Sequence, residues 1–338
     1  MKVPFLSYII GVLKEKAHSA SNYLKSRRAK PEYHIGLNYR SEAENADGMN
    51  QSLRILVTGC SSGFGEIIAK TLSKAGHWIF ASMRDINERN REAAIGLRNW
   101  ANLEGVVLNV VELDVANQKS VIDAVTSIEE NYGGIDVVIN NAGWGGMGIV
   151  EAFSIEQMQA MFDVNTMGQM RVNKAVLPAM RRRRSGLIVH VSSTAGRIVI
   201  PMGNPYSATK FALEALAESM HHQLAPFSID VVILEPGYYP TTGFDQKQIS
   251  ASDAGIVDEY KSIEKERVGN GTREKTHSGS KGSADPQEVA DVLLRLIAMP
   301  SGKRPLRTVV GTVASAGVVQ LNAAYDKCKK RMLDSLRL

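Results

Sequence analysis

The chain has 338 residues, room for one large α/β domain or two small ones. Hydrophobic residues make up 44% and charged residues 22%, an ordinary globular balance that excludes a chain disordered throughout. The formal charge of +5 sits partly in Arg27-Arg28 and in Arg181 to Arg184; no aromatic residues interleave with the second cluster, which argues for solvated surface rather than nucleic-acid binding.

In chain order, residues 1–52 read as an appendage, one amphipathic helix and a linker. The apolar run Val3 to Leu13 is shorter than the ~20 residues of a bilayer span. Lys14-Glu15-Lys16 and a poor cleavage pattern argue against a signal peptide. Surface attachment to a membrane through residues 1–30 stays open, and Met49, just before the first strand, is an alternative start. From Leu53 short apolar runs alternate with longer helical stretches, the pattern of βαβ units. The expected strands are Arg54–Thr58, Trp78–Ser82, Val106–Val111, Val137–Asn140, Leu187–Val191, Asp230–Leu234 and Arg307–Val310. They are rich in Val and Ile and largely lack alternation, as in strands buried on both faces of a parallel sheet. Ser154–Met180 and Ser207–Leu224 read as helices, and another starts at Pro286 and runs to about Met299. Gly243–Ala284 is polar and Gly-rich and reads as a loop, mobile without ligand and closing over substrate. Residues 53–312 thus form one domain, with a substrate loop over about 238–284, and 313–338 a helical tail.

Thr58-Gly59-Cys60-Ser61-Ser62-Gly63-Phe64-Gly65 ends the first strand and opens a helix. Glycines there let backbone approach a pyrophosphate, whose charge meets the helix N-terminus. Tyr206 and Lys210, four apart, share one helix face. A phenol is too weak an acid to work as a base near neutrality, and a neighbouring ammonium favours its phenolate. Cys60 and Cys328 lie far apart without ligand spacing, so neither a disulfide framework nor a zinc site is expected, and a reducing cytoplasm fits. His221-His222 cannot share a helix face and has no third ligand at metal spacing.

Taken in order, Thr58 to Gly65, Asn140-Asn141-Ala142-Gly143, Asn165, Ser193, Tyr206-Ser207-Ala208-Thr209-Lys210 and Pro236-Gly237 with Thr241 resemble the motifs of the classical short-chain dehydrogenase/reductase family, over roughly Leu53 to Val310. The resemblance implies a doubly wound Rossmann fold with seven parallel strands and helices on both faces. It implies Tyr206 as acid/base, Lys210 as its modulator, Ser193 on the substrate oxygen and Asn165 holding a water that relays protons; Ser192 is a rival to Ser193. It assigns Gly59, Ser61, Ser62, Gly63, Gly65, Asp114, Val115, Asn141, Ala142, Gly143, Tyr206, Lys210, Pro236, Gly237 and Thr241 to the cofactor, and Asn140 to the sheet centre as much as to the cofactor. Asp114 also reads as a helix N-cap. At the end of the second strand Met83 takes the usual acidic position and Arg84 follows, which points to the 2′-phosphate of NADP; Asp85, one further on, would suit NAD. Trp144, Met147, Met202, Tyr238, Tyr239 and Phe244 flank the motifs and read either as an apolar substrate pocket or as core, with Tyr238 taken as a substrate contact. Within the family the resemblance is nearest to steroid and retinol dehydrogenases, implying a lipophilic alcohol, ketone or aldehyde. The family also implies a homodimer or homotetramer, for which Phe211, Leu213, Leu216 and Met220 offer apolar surface. The alternatives are an NAD-dependent alcohol dehydrogenase and a non-catalytic NADP-binding regulator on the same fold.

Overall fold

The computed structural model describes residues 52–199, 204–267, 285–311 and 315–336. The expectations for residues 1–51, for Met202 and for residues 268–284 of the substrate loop lie outside the described residues. Seven parallel strands form one sheet in the order β3-β2-β1-β4-β5-β6-β7. They are β1 Arg54–Thr58, β2 Trp78–Met83, β3 Leu108–Glu112, β4 Val137–Asn140, β5 Gly186–Val191, β6 Ile229–Pro236 and β7 Arg307–Val310. Each begins and ends within two residues of its expected bounds.

Helices α1 Gly63–Lys74, α2 Arg91–Glu104 and α3 Gln118–Tyr132 cross between the first four strands. After β4 come α4 Ile155–Phe162, α5 Gln169–Arg183 and α6 Asn204–Leu224, then α7 Ala254–Arg267, α8 Gln287–Ala298 and α9 Ala316–Leu336. Helix ends follow local chemistry. The Asn117 side chain caps α3 by accepting from the N–H groups of Lys119 and Ser120, and Gly133 closes the helix in the left-handed conformation. Ser154 and Gln157 form a reciprocal capping box that starts α4.

Successive strand residues feed opposite faces of the sheet. Ile55 and Val57 join Ile68, Leu72, Leu97, Val289 and Leu293, from α1, α2 and α8, on one side. Leu56 and Phe80 join Val121, Val172, Val176 and Ala217, from α3, α5 and α6, on the other. With both faces covered, a run such as Ile55-Leu56-Val57 is fully buried, which is why these strands read as unbroken apolar sequence.

Three expectations are corrected. The helix read over Ser154–Met180 is interrupted: α4 stops at Phe162, and Asp163–Gly168 makes a π turn before α5. The segment read as a loop from Gly243 contains α7, and its approach is tied down. Ile249 pairs with Gly146 in a parallel bridge, its N–H donating to the Gly145 carbonyl at 3.0 Å, and Gln157 donates to the Ser250 carbonyl at 3.0 Å. Asp114 does not cap α3, because Asn117 does; its carboxylate instead accepts from the Ala116 N–H at 3.0 Å. The tail is helical over Ala316–Leu336, with Val318 and Asn322 buried.

Candidate active site

The strand order reverses its winding between β1 and β4, and the crevice at their carboxyl ends is where an open α/β sheet holds a ligand. Thr58 ends β1 there, and its hydroxyl accepts from the N–H groups of Asn141 and Ala142, both at 3.0 Å. Asn141 returns the contact, donating to the carbonyls of Thr58 at 2.9 Å and Gly59 at 3.2 Å. The turn from β1 into α1 is locked to the turn after β4 by these bonds. Gly59 and Gly63 have φ of 75° and 61°, conformations that side chains disfavour. A Cβ on Gly65 would stand 2.2 Å from the Gly59 carbonyl oxygen. The sequence spends glycine here because two backbones meet. The result is a bare, concave turn with the N-terminus of a 12-residue helix behind it, which fits a dinucleotide pyrophosphate by shape and by charge. Ser61 and Ser62 lie in the turn, and the Lys247 ammonium donates to the Ser62 hydroxyl.

At the next strand end, Met83 is the last residue of β2 and is buried. Arg84 follows with its side chain 41% exposed and its guanidinium 3.9 Å from the Asp85 carboxylate. Asp85 has φ of 51°, and the Glu112 carboxylate accepts from the N–H groups of Asp85 and Ile86 at 2.8 and 2.9 Å. Val115 is buried against Gly168.

The carboxyl ends of β5 and β6 carry the second half of the site. Ser193 follows β5 and caps a short 3₁₀ turn, Thr194–Gly196, its hydroxyl accepting from the Ala195 N–H at 3.1 Å. Tyr206 lies in the first turn of α6, its phenol beside the Ser193 hydroxyl. Burial pushes that phenol up to about 12, the Ser193 contact opposing. One turn on, Lys210 is buried and donates to the Val191 carbonyl at 2.7 Å, with its Nζ 5.7 Å from the Tyr206 ring centre. Burial lowers the ammonium to about 8, against the attraction of Glu214. Ser192, the rival to Ser193, is buried beside Gly196.

Asn165 sits in the π turn, fully buried. Its carboxamide accepts from the Trp144 N–H at 3.0 Å and donates to the Trp144 carbonyl at 2.9 Å and the Thr209 hydroxyl at 3.1 Å. It thereby fixes the turn after Gly143 to the helix that bears Tyr206. Behind it, Asn140 donates to Asn173 at 2.8 Å, and the buried His190 ring bridges Asn173 and Gln169.

Beyond β6, the Gly237 N–H donates to the Val310 carbonyl at 2.8 Å, which sets the chain off over the site. Pro240–Thr242 is a 3₁₀ turn containing the exposed Thr241, and the Thr242 carbonyl presses on Gly63. The aromatic residues flanking the motifs divide. Phe244 packs edge-on against Tyr206, ring centres 5.5 Å apart, and abuts Gly145. Tyr239 is core: it is buried against Phe64 and donates to Glu288 at 3.1 Å. Tyr238 is half exposed and donates to Asp245. Two contributors are absent from the expectations drawn from sequence. Lys247 reaches the cradle from 185 residues away, a contact no local pattern signals. Glu214 was legible, standing four residues after Lys210 on the same helix face. Among the described residues, no cluster of His, Cys, Asp or Glu could hold a metal ion, and no helix is long and apolar enough to cross a membrane.

Comparison with known proteins agrees with this geometry. Residues 54–252 match the family model of the short chain dehydrogenases. The chain is 36% identical to retinol dehydrogenase 8 of Bos taurus over 266 residues, 76% of this chain and 81% of the relative. It is 32% identical to 17-beta-hydroxysteroid dehydrogenase type 1 of Homo sapiens over 251 residues, 73% of this chain and 74% of the relative. Among solved structures, an alcohol dehydrogenase from the archaeon Thermococcus sibiricus, complexed with 5-hydroxy-NADP, superposes with a TM-score of 0.61 at 26% identity, covering 78% of this chain and 97% of that one. A seven-stranded parallel sheet with this strand order, a glycine cradle at its switch point and a family match over most of the sheet make the chain a member of the short-chain dehydrogenases, oxidoreductases that act on alcohol and keto groups with NAD(P).

Proposed function

We propose that the chain is an NADP(H)-dependent oxidoreductase that interconverts an alcohol with its ketone or aldehyde on a lipophilic substrate, with Tyr206 as acid/base. The observation that carries this reading is the Ser193–Tyr206–Lys210 cluster, a phenol flanked by one hydroxyl and underlain by one ammonium, beside a cradle built for phosphates. When bound, the nicotinamide supplies the hydride chemistry. The chain's own residues do the rest. With its pKa near 12, the Tyr206 phenol holds its proton at neutral pH, ready to give it to a carbonyl oxygen. Ser193 donates to the same oxygen and fixes its position. Lys210 favours the phenolate once that proton has left, and so allows the reverse reaction. Asn165 holds Trp144 and Thr209 in register around the pair.

NADP is favoured over NAD because β2 ends at Met83, so Arg84 is the first side chain beyond the strand, while Asp85 turns into a left-handed bend. Ser61, Ser62 and the turn glycines would hold the phosphates, with Asp114 and Val115 beside the adenine. Asn141, Ala142 and Gly143, with Pro236, Gly237 and Thr241, would line the rest of the cofactor's path. The Phe244 ring on Tyr206 gives the substrate side an apolar wall, in keeping with a lipophilic ligand. Retinol and 17β-hydroxysteroid relatives point to the same class. Phe211, Leu216 and Met167 expose apolar surface on α6 and on the π turn before α5, which supports a homodimer or homotetramer; Leu213 is spent on the core. Both cysteines are free thiols, in keeping with a reducing cytoplasmic setting. A screen of steroid, retinoid and short-chain alcohols and carbonyls with NADPH and NADH, read at the nicotinamide absorbance, tests the proposal. Turnover that survives Tyr206→Phe would refute it, and turnover with NADH alone would reverse the cofactor assignment.

A further inference from the structure

Four polar residues follow one another at intervals of four along α6: Tyr206, Lys210, Glu214 and Glu218. That spacing puts them on one face, one helical turn apart. Glu218 belongs to no part of the site described above, Glu214 has been given no role in the reaction, and both are buried. A methyl group on Gly196 would stand 3.3 Å from Lys210 Cβ and 3.2 Å from Glu214 Cγ. Glycine at 196 therefore lets the floor of the site rest on both stems, beside the Ser192 hydroxyl. Glu214 Oε2 accepts from Arg307 Nε at 2.8 Å, while Oε1 has no hydrogen-bond partner. Arg307 also donates to Glu218 at 2.6 Å. From α9, Lys329 and Tyr325 donate to Glu218 at 2.5 and 3.2 Å. The row of charges runs from beneath Tyr206 to the outer face of the domain.

An ammonium buried like that of Lys210, with one carbonyl as its acceptor, is costly unless a negative charge stands near. The groups facing this row are few. On β5, His190 is kept neutral, its pKa pushed to about 3 by burial and by Lys210. On β6, burial and Glu214 push Glu235 well above the usual carboxylate range; Asn322 donates to it at 2.6 Å, and Arg197 and Arg307 lie 4.0 and 3.6 Å away. Arg307 on β7 and Lys329 on α9 carry positive charge. Glu214, one turn from Lys210, is the carboxylate left to balance the ammonium.

We propose that Glu214 is a positioning residue of the reaction: its carboxylate, held by Arg307, keeps Lys210 charged beneath Tyr206 and so sets the pH range in which the phenol works. The proposal rests on the reading of Tyr206 and Lys210 given above. Removing one opposite charge a helical turn away moves a buried titration by about 1–2 pH units. Glu214→Gln should therefore bring the alkaline fall of kcat down by about that much, and NMR of isotope-labelled lysine should show Lys210 losing its proton earlier by the same amount. Glu214→Asp, which keeps the charge, should return most of the shift. Lys329→Gln removes a distant cation and should move the limb the other way, by a few tenths of a unit; being partly exposed, it keeps the test open if Gln at 214 prevents folding. A purely structural defect would instead lower kcat by one factor at every pH. Profiles that superpose on the wild type after scaling, in every variant that folds, would overturn the proposal. Tyr206→Phe and Lys210→Met in the same assay separate the two readings. If these keep near-normal turnover, the catalytic reading itself fails; if they are inactive while the profiles superpose, only the role of Glu214 falls.

Discussion

Consider Gly65→Ala. The added carbon would sit 2.2 Å from the Gly59 carbonyl oxygen and 2.6 Å from Asn141 Nδ2. Non-bonded carbon contacts settle near ~3.5–4.0 Å, so the shortfall exceeds about 1 Å. Two of the three nearest atoms are backbone and the third is pinned by its bonds to Thr58 and Gly59, so nothing flexible can yield. Overpacking of this kind costs about 1–3 kcal/mol, or about 2–12 °C in melting temperature for a domain of this size. The carbonyl that yields lies in the phosphate cradle, so the loss of NADPH affinity should be at least ~10-fold, about 1.4 kcal/mol or more. Gly96, exposed in the middle of α2, is the matched control. A Cβ there meets nothing within 4 Å and its φ is not positive. Gly96→Ala should stabilise the protein by about 0.5–1 kcal/mol and leave cofactor binding alone. Thermal unfolding and titration of NADPH fluorescence measure both quantities. A Gly65→Ala protein that melts and binds NADPH like the wild type would refute the steric argument and the placing of the phosphates.

Other outcomes follow from the same geometry. Tyr206→Phe should fold and bind cofactor normally but lose turnover by at least ~10²-fold in steady-state assays. Arg84→Ala should weaken NADPH by about 10- to 100-fold and NADH little, by direct titration; equal losses would remove Arg84 from the 2′-phosphate. Burial resists ionisation of Glu218, but hydrogen bonds from Lys329 and Arg307 outweigh it and bring its pKa to about 2. A depressed carboxylate stabilises the fold fully above its unfolded value, and that contribution disappears as pH falls from about 4.5 to about 2. The stability gap between wild type and Glu218→Gln, by denaturant unfolding, should thus be about 1–3 kcal/mol at pH 7 and close only as pH approaches about 2. Light scattering at micromolar concentration should give at least twice the 36.9 kDa chain mass.

The sheet was legible because its strands are buried on both faces, and few arrangements other than a covered parallel sheet call for uninterrupted Val and Ile at regular spacing. The cradle was legible because close backbone approach demands glycine at fixed intervals. Ser193, Tyr206 and Lys210 come together because the first ends a strand and the others open the helix behind it. What escaped depended on distance in sequence. Nothing around Ala254–Arg267 separates a charged surface helix from a loop, since its anchors, Gly146 and Gln157, lie about a hundred residues away. The wide turn within the helix read over Ser154–Met180 has no compositional mark; it follows from the demand of Trp144 and Thr209 for one amide. Tyr238, Tyr239 and Phe244 look alike in sequence, and only packing sends one to solvent, one to the core and one to the Tyr206 ring.

That wide turn makes Asp163–Gly168 a stretch in which chain length is not negotiable. Each residue of an α-helix advances about 100° around the axis. Deleting one residue would let the turn tighten into ordinary helix, and α5 could stay seated, yet Asn165 would swing by about that angle away from the Trp144 peptide. Substitutions at exposed Met167 are cheap by comparison, since they change a surface and not a phase. Homologous chains spliced together across this segment should work only where both parents carry the same number of residues between the Ser154 cap and the buried Val172.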